Sequence, residues 1–349
     1  MSVNVVVEQR PPGADPVGAA APAWDRRRSA RVLRSLNAVV GRILNIVLLL
    51  FMVSLGTFLL LKLAGGDAAD LAGGEQGATA ADVAAARARL GLDQSLVQQY
   101  LSWVGHAVHG NFGNSYISGL PVTDLIVQRL PVTVALIVGT VVIAVPVSIV
   151  LGLLAGANEG RWIDRVVTGL CSVSTALPTF WFGLVLSLYL ALRAGWFPAT
   201  GFVPISQDPV AFIEHLLLPV ITLAVPLAAA LTRQLRGSVA EVLSLDYVRS
   251  AEARGASRIS VLGKHTLKNA SIPAITLLGI QVITLIGGTI IAEAVFGLQG
   301  IGSLVISAVQ SRDTPVIQGV VFCSAIFAVI VNVVLDVMYR VLSPRTRSV

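Results

Sequence analysis

Six apolar runs, each long enough to cross a bilayer, constrain this chain of 349 residues more than any single motif does. A helix needs about 20 residues to span the hydrocarbon core. The runs lie near 43–64, 131–155, 165–192, 215–235, 272–296 and 318–341. In lipid every backbone N–H and C=O must be paired within the protein, which leaves helices and closed barrels. The runs lack the alternating pattern of barrel strands. The expectation is therefore an all-α integral membrane protein with six transmembrane helices. Hydrophobic residues make up 55% of the chain and charged residues 13%, a balance that an ordinary soluble domain does not have.

Charge orients the spans. All but six of the 25 Lys and Arg residues fall in the N-terminal tail, the short loop after residue 156, the 233–271 segment and the C-terminal tail. The exceptions are Lys62, Arg87, Arg89, Arg129, Arg193 and Arg312. Cytoplasmic loops carry the excess of Lys and Arg, so both termini are expected inside and segments 65–130, 193–214 and 297–317 outside. The chain then reads as a cytoplasmic, largely disordered basic tail over 1–42, a first span over 43–64 and a structured external loop over 65–130. A five-helix core follows over 131–342, carrying a cytoplasmic loop at 237–271, and a short cytoplasmic tail over 343–349.

Residues 1–25 are rich in Pro, Ala and Gly, as disordered tails are. The first run is too long, and the tail before it too extended, for a cleaved signal peptide, so an uncleaved signal-anchor is expected. Arg26, Arg27, Arg28, Arg31, Arg34 and Arg42 precede that run and suit an anionic inner leaflet. The net charge of +6 is thus assigned to the lipid bilayer. Nucleic acid is not an expected partner, because its binding calls for a basic face interleaved with aromatics. Cys171 and Cys323 lie inside apolar runs and read as small core residues rather than as a disulfide or a metal pair.

The loop between the first two runs carries its own helical signals. Thr79 with Asp82 three residues on is a capping-box pattern, and Gly91 ends the Ala-rich helix that follows. A second helix is expected from Ser95 to about His109, and then a turn over Gly110-Asn111-Phe112-Gly113-Asn114-Ser115. Two readings of the loop stand side by side, a lid over the spans and a docking surface for something that delivers substrate from outside.

The segment Asp246-Tyr247-Val248-Arg249-Ser250-Ala251-Glu252-Ala253-Arg254-Gly255-Ala256-Ser257, continuing to Lys268-Asn269-Ala270, is a polar interruption between two long apolar runs. It belongs in water beside the membrane, as a helix–turn–helix. Leu235, Val239, Val242, Leu243 and Tyr247 share one helical face. Gly255 supplies the break and Ser257 the N-cap, after which Ile259 and Leu262 restart an apolar stripe. A compact basic elbow on a membrane protein is suited to presentation to a partner.

The stretches Tyr247-Val248-Arg249-Ser250-Ala251-Glu252-Ala253-Arg254-Gly255 and His265-Thr266-Leu267-Lys268-Asn269-Ala270-Ser271-Ile272-Pro273 closely resemble the coupling-loop motif of binding-protein-dependent ABC importers. Within these the chain is similar to the peptide/nickel permease group, near the B-type permeases of dipeptide and oligopeptide systems. Leu90-Gly91-Leu92-Asp93-Gln94, Gly110 to Ser115, and Leu130-Pro131-Val132-Thr133 resemble that group's outer loop and second span. Glu293-Ala294-Val295-Phe296-Gly297-Leu298-Gln299-Gly300-Ile301-Gly302 resembles the end of its fifth span. The general importer motif begins Glu-Ala-Ala, whereas Arg249-Ser250-Ala251 stand here; Gly255 keeps the spacing, and the closing Pro is displaced to Pro273.

The resemblance implies a type I ABC importer permease fold with a cytoplasmic coupling helix. It assigns ATPase coupling to Asp246, Tyr247, Arg249, Ala251, Arg254 and Gly255. The partners it implies are a second homologous permease, cytoplasmic ATP-binding subunits and an external substrate-binding protein. ATP and Mg would sit on the partner subunits, with no cofactor in this chain. Di- or oligopeptides are the implied substrates, with nickel, glutathione and haem as alternatives within the same group.

The residues themselves agree with a passive subunit. No Gly-x-x-x-x-Gly-Lys-Ser/Thr is present to cradle nucleotide phosphates. Proton-driven carriers bury several carboxylates at mid-membrane. Here Glu293 and Asp336 lie toward span ends, which reads as interfacial placement or a satisfied structural hydrogen bond. There is no His-Glu-x-x-His or Gly-x-Ser-x-Gly, and His106, His109, His215 and His265 are scattered, so no catalytic or metal site is expected. A stand-alone carrier is the remaining rival. Pro146, Pro178, Pro219 and Pro226 interrupt spans whose freed carbonyls would line a cavity. Gln281, Thr284, Gly288 and Thr289 are the candidates for the translocation path.

Overall fold

The computed structural model describes residues 23–63 and 93–342, together with Ala81, Ala84 and Ala88. The expected capping box at Thr79, the helix ended by Gly91, residues 1–22 and the tail 343–349 lie outside the described residues. Apart from an isolated bridge between Asn114 and Pro121, the regular structure of the described residues is helical. The chain divides into two compact units, residues 1–49 and residues 50–349.

Helix α1 runs Ala23–Leu63. It begins well inside the stretch expected to be a disordered tail. The Ala, Arg and Leu residues of this stretch are good helix formers. Helix α2 is Leu96–Ala107, opened by a capping box in which Gln98 N donates to Ser95 Oγ and Ser95 N donates to Gln98 Oε1. The expected turn follows, with Gly110 and Gly113 at φ 78 and 84. Helix α3 is Val122–Gly156, starting nine residues before the expected 131. Pro121 stands at its N-cap, so Pro131 falls inside the helix rather than opening it.

The third apolar run is not one straight span. Helix α4, Trp162–Ala176, and helix α5, Thr179–Leu186 with its π-helical extension Ser187–Arg193, meet at an angle of 99°. The cause is local. The residue before a proline is pushed out of the helical region, and Leu177 takes φ −75 and ψ 128 ahead of Pro178. By contrast, Pro146 in α3 and Pro219 and Pro226 in α6 (Pro209–Leu243) lie within continuous helices. Of the four prolines expected to interrupt spans, Pro178 alone does so. Helix α7 is Asp246–Ala253, α8 is Arg258–Ser260, and a π-helical turn Val261–Leu267 leads into α9, Lys268–Phe296. Helices α10, Ile301–Gln310, and α11, Thr314–Leu342, complete the fold. Among the described residues, five helices are long and apolar enough to cross a membrane, or six if the bent α4–α5 pair counts as one span.

Helices α3 and α6 lie side by side and parallel. A Cβ on Gly139 would stand 2.9 Å from Val220, one on Gly152 2.6 Å from Leu235, and one on Gly156 2.6 Å from Val239. Such glycines let helix backbones approach closely where lipid offers no hydrophobic drive. Helix α9 returns in the opposite sense: its Leu285 and Ala292 share a cluster with Leu223, Leu227 and Leu231, and its Phe296 joins Leu216 and Val220.

These directions gather the connecting segments at two ends. One end holds the 157–161 loop and the elbow 244–267. At the other, Gly201 N donates to Phe296 O and Ser115 Oγ and Tyr116 N donate to the carboxylate of Asp313. Ala107 and Phe112 are buried there with Val122, Ile301 and Val316, so the described part of the long loop packs as a lid over α3, α10 and α11.

Gly156→Leu should lower the stability of the folded chain by about 1–3 kcal/mol, since overpacking must displace Val239 and a backbone carbonyl. Gly169→Ala, in α4 with nothing within 4 Å, should be neutral. Thermal unfolding in detergent compares the two; equal melting curves would refute the close α3–α6 contact.

Candidate coupling site

Helix α6 stops at Leu243, where Ser244 Oγ donates to Glu241 O. The chain turns there, and α7 starts at Asp246. Tyr247 therefore leaves the face it was expected to share with Leu235, Val239 and Val242, which are buried in α6. It is exposed on α7 and receives a hydrogen bond from Asn269 Nδ2 at 2.9 Å.

Below α7 lies an apolar keystone. Val239 and Val242 from α6, Val248 from α7, Val261 from the π turn and Ala270 from α9 are all buried in one cluster, with Leu153 of α3, Leu243 and Ala256 against it. Val248 and Val261 are each only 1% exposed. The elbow is thus seated on the ends of three membrane helices and cannot swing without opening this cluster. Ala251 is buried as well, at 5% exposure.

Gly255 turns the chain at φ +84, a conformation in which a Cβ is costly, and a Cβ built there meets nothing within 4 Å. Ser257 caps the next turn, with Ser260 N donating to its Oγ at 3.3 Å and Val261 N to its carbonyl. The apolar stripe restarts differently from the expectation. Val261 takes the buried position and Ile259 is 85% exposed. Packing decides this, since Val261 is the residue that meets Val239 and Val248, and a π turn over 261–267 then leads into α9.

The structure therefore brings Asp246, Tyr247, Arg254 and Gly255 to one exposed region, alongside exposed Leu245 and Ile259. Arg249 lies within α7 between them. Polar residues are interleaved there with bare apolar side chains above a buried apolar base.

The path candidates separate. Thr284 is exposed on α9 and donates to Gln281 O at 2.8 Å, with Gln281 half-buried beside it. Gly287 continues the exposed side, and Thr276 and Ile280 precede it. Thr289 instead is 1% exposed and donates to Ile286 O, and a Cβ on Gly288 would stand 3.4 Å from Leu223. These two belong to helix packing.

Two polar constellations fasten the ends of the helices, the first with no strong signal in the sequence and the second the hydrogen-bonded alternative read for Glu293. At the elbow end, Arg236 of α6 donates Nε to Asp164 Oδ1 at 2.9 Å and Nη2 to Oδ2 at 2.7 Å, and reaches Glu159 at 3.4 Å. The partners are 72 residues apart and stand singly at the margins of apolar runs, so only the fold pairs them. At the far end, Glu293 is 1% exposed. It accepts from Thr133 Oγ1 and Ser303 N, both at 2.8 Å, while Ile301 N donates to Thr133 Oγ1. Glu293 is thus a satisfied structural carboxylate that caps α10. A side chain at Gly300 or Gly302 would collide with it.

Comparison with known proteins agrees with this architecture. Residues 148–348 match the family "Binding-protein-dependent transport system inner membrane component", and residues 35–137 match the N-terminal component of the same membrane system. A probable peptide ABC transporter permease protein, y4tP, of Sinorhizobium fredii is 38% identical over 309 residues, 88% of this chain and 98% of that protein. The oligopeptide transport system permease protein AppB of Bacillus subtilis is 37% identical, covering 74% of this chain and 82% of its own length. The glutathione transport system permease protein GsiC of Escherichia coli is 36% identical, with 89% and 99% covered. Among solved structures, a chain of the inward-facing MetNI methionine ABC transporter shares the fold, with a TM-score of 0.50 at 18% identity over 63% of this chain and 96% of that one. The chain belongs to the inner-membrane permease family of binding-protein-dependent ABC importers.

Proposed function

We propose that this chain is one half of the translocation pore of an ATP-driven importer of peptides, with the elbow 244–267 docking on a cytoplasmic ATP-binding subunit. The observation that carries this reading is the elbow itself: exposed Tyr247, Arg254, Gly255 and Ile259 stand on a base of buried Val239, Val248 and Val261. A rigid base is what mechanical transmission needs, since a load applied at Tyr247 reaches α3, α6 and α9 together.

A second permease chain would complete the pore along the exposed side of α9 marked by Thr276, Thr284 and Gly287. An external binding protein would deliver the substrate. ATP and Mg are assigned to the ATP-binding subunits rather than to this chain. Both termini are placed in the cytoplasm on the distribution of Lys and Arg. Relatives named for peptides, oligopeptides and glutathione, itself a tripeptide, favour short peptides as substrates. Peptides are zwitterions of varied side chain, and a weakly polar path of Thr, Gln and Gly suits such a mixture.

In the full complex, Gly255→Val should cut peptide uptake at least about tenfold while the chain still inserts. The left-handed backbone costs a β-branched residue about 1–2 kcal/mol or more, and the added side chain projects from the docking surface. Unchanged uptake with unchanged co-purification of the ATPase would contradict the elbow's role.

Topology is open to single-cysteine labelling in intact cells, after Cys171 and Cys323 are replaced. An impermeant reagent should label position 102 and spare position 255, and the reverse pattern would invert the orientation.

Energy coupling separates the pore half from a stand-alone carrier. Vesicles holding the full complex should accumulate peptide with ATP present and the proton gradient collapsed, and the purified chain alone should not. Uptake by the chain alone under an imposed gradient would establish a secondary carrier instead.

A further inference from the structure

We propose that Asp164 and Arg236 are a positioning pair that makes α4, and with it the bend at Leu177–Pro178, follow the elbow during the transport cycle. The inference rests on the elbow being the ATPase contact. Its geometry is independent of that reading.

Arg236 lies three residues before Val239, one of the two buried α6 residues of the keystone under the elbow. Asp164 stands in the first turn of α4 and is 5% exposed. The two side chains meet as a fork, with Arg236 Nε on Oδ1 at 2.9 Å and Nη2 on Oδ2 at 2.7 Å. Gly160 N donates to Oδ2 at 2.9 Å and Thr168 Oγ1 to Oδ1 at 3.3 Å, so both carboxylate oxygens are fully engaged. Glu159 adds a second acid near the guanidinium, at 3.4 Å.

The buried cluster beside the pair is apolar. Val167 and Cys171 of α4 meet Ala229 of α6 and Ala155 of α3 there, with Leu151 and Ile163 against them, so it holds no polar contact that would lock α4 to α6 in one register. A bidentate guanidinium–carboxylate pair is directional and about twice as strong as a neutral hydrogen bond. The pair therefore fixes the start of α4 to the end of α6. Helix α4 is continuous from there to Ala176, where the chain bends by 99° with Leu177 and Pro178 in extended conformation. Displacement of the elbow is carried by α6 through Arg236 into α4, and the proline break is where the angle can change. Without the pair, α6 would move over α4 and the far half of the broken span would stay behind.

The test uses the assembled complex in proteoliposomes, with a short peptide as the transported probe and ATP hydrolysis measured in parallel. R236Q and R236K are compared with the unaltered chain, and both rates are normalised to assembled complex. Hydrolysis should stay within about twofold for both variants. Uptake should fall about tenfold in R236Q and less in R236K, which keeps the charge but loses the fork, so that ATP consumed per peptide is highest in R236Q and intermediate in R236K. A pair that only holds the fold together would lower both rates in parallel, leaving the ratio unchanged, and that result would overturn the proposal. Unaltered uptake in both variants would overturn it too. Should R236Q fail to assemble, the R236K ratio alone decides. Failure of the underlying reading looks different, because the unaltered complex would then show no ATP-driven uptake at all.

Discussion

Lipid tails are as apolar as leucine, so nothing in a bilayer squeezes α3 and α6 together, and their contact has to come from shape. Gly139, Gly152 and Gly156 supply it by leaving room for Val220, Leu235 and Val239. The core helices take their places from this parallel pair. Helix α9 lies back across it through Leu285 and Ala292, and α4 rests on it through Val167 and Cys171. The elbow sits where both helices end, using Leu153 from one and Val239 and Val242 from the other.

Polar chemistry is concentrated at the two ends of that apolar assembly, and each end is fastened by a buried carboxylate. Asp164 ties the 157–161 loop and α4 to α6. Glu293 ties α9 to α3 through Thr133 and to α10 through Ser303. A third acid, Asp313, holds the outer loop by Ser115 and Tyr116. Burying a carboxylate is costly unless its oxygens are bonded. Each of these three accepts hydrogen bonds from residues distant in sequence, which makes the contact specific as well as stabilising.

Most of the fold is legible in the sequence because its signals are local. Twenty-residue apolar runs mark spans, Ser95 with Gln98 marks the start of α2, and Gly255 followed by Ser257 marks the elbow's turn and restart. What escapes depends on longer range or on competition between local rules. The chain departs from α6 at Ser244, so the helical face that would hold Tyr247 ends one turn before it. Ile259 of the expected stripe is exposed and Val261 takes the buried position, a choice made by long-range packing on Val239 and Val248 rather than by the local apolar pattern. Pro178 breaks its span whereas Pro146, Pro219 and Pro226 do not, although all four look alike in the sequence. Of the residues that the resemblance assigns to coupling, Asp246, Tyr247, Arg254 and Gly255 are exposed, while Ala251 is buried. Thr284 and Thr289 are near neighbours in the chain, yet five positions along a helix place them on different sides.

Transmission through such a molecule demands that some contacts stay rigid and others have two settings. A partner shifts a conformational equilibrium only by binding one state better than the other. The keystone of Val239, Val248, Val261 and Ala270 is close-packed and fully apolar, so it has no second arrangement of comparable energy and moves as a body. The contacts of α9 on α6 through Leu223, Leu227 and Leu285 are smooth and apolar, and permit rotation at little cost in polar pairing. The bend at Leu177–Pro178 is already outside helical geometry and makes no side-chain cap, so a change of angle there breaks few bonds. A stiff elbow, a slippery interface and a pre-broken span together allow force applied at the elbow to reorient the exposed side of α9 without unfolding any element. That division of stiffness, more than any single residue, suits the chain to serve as the passive half of a pump driven from outside itself.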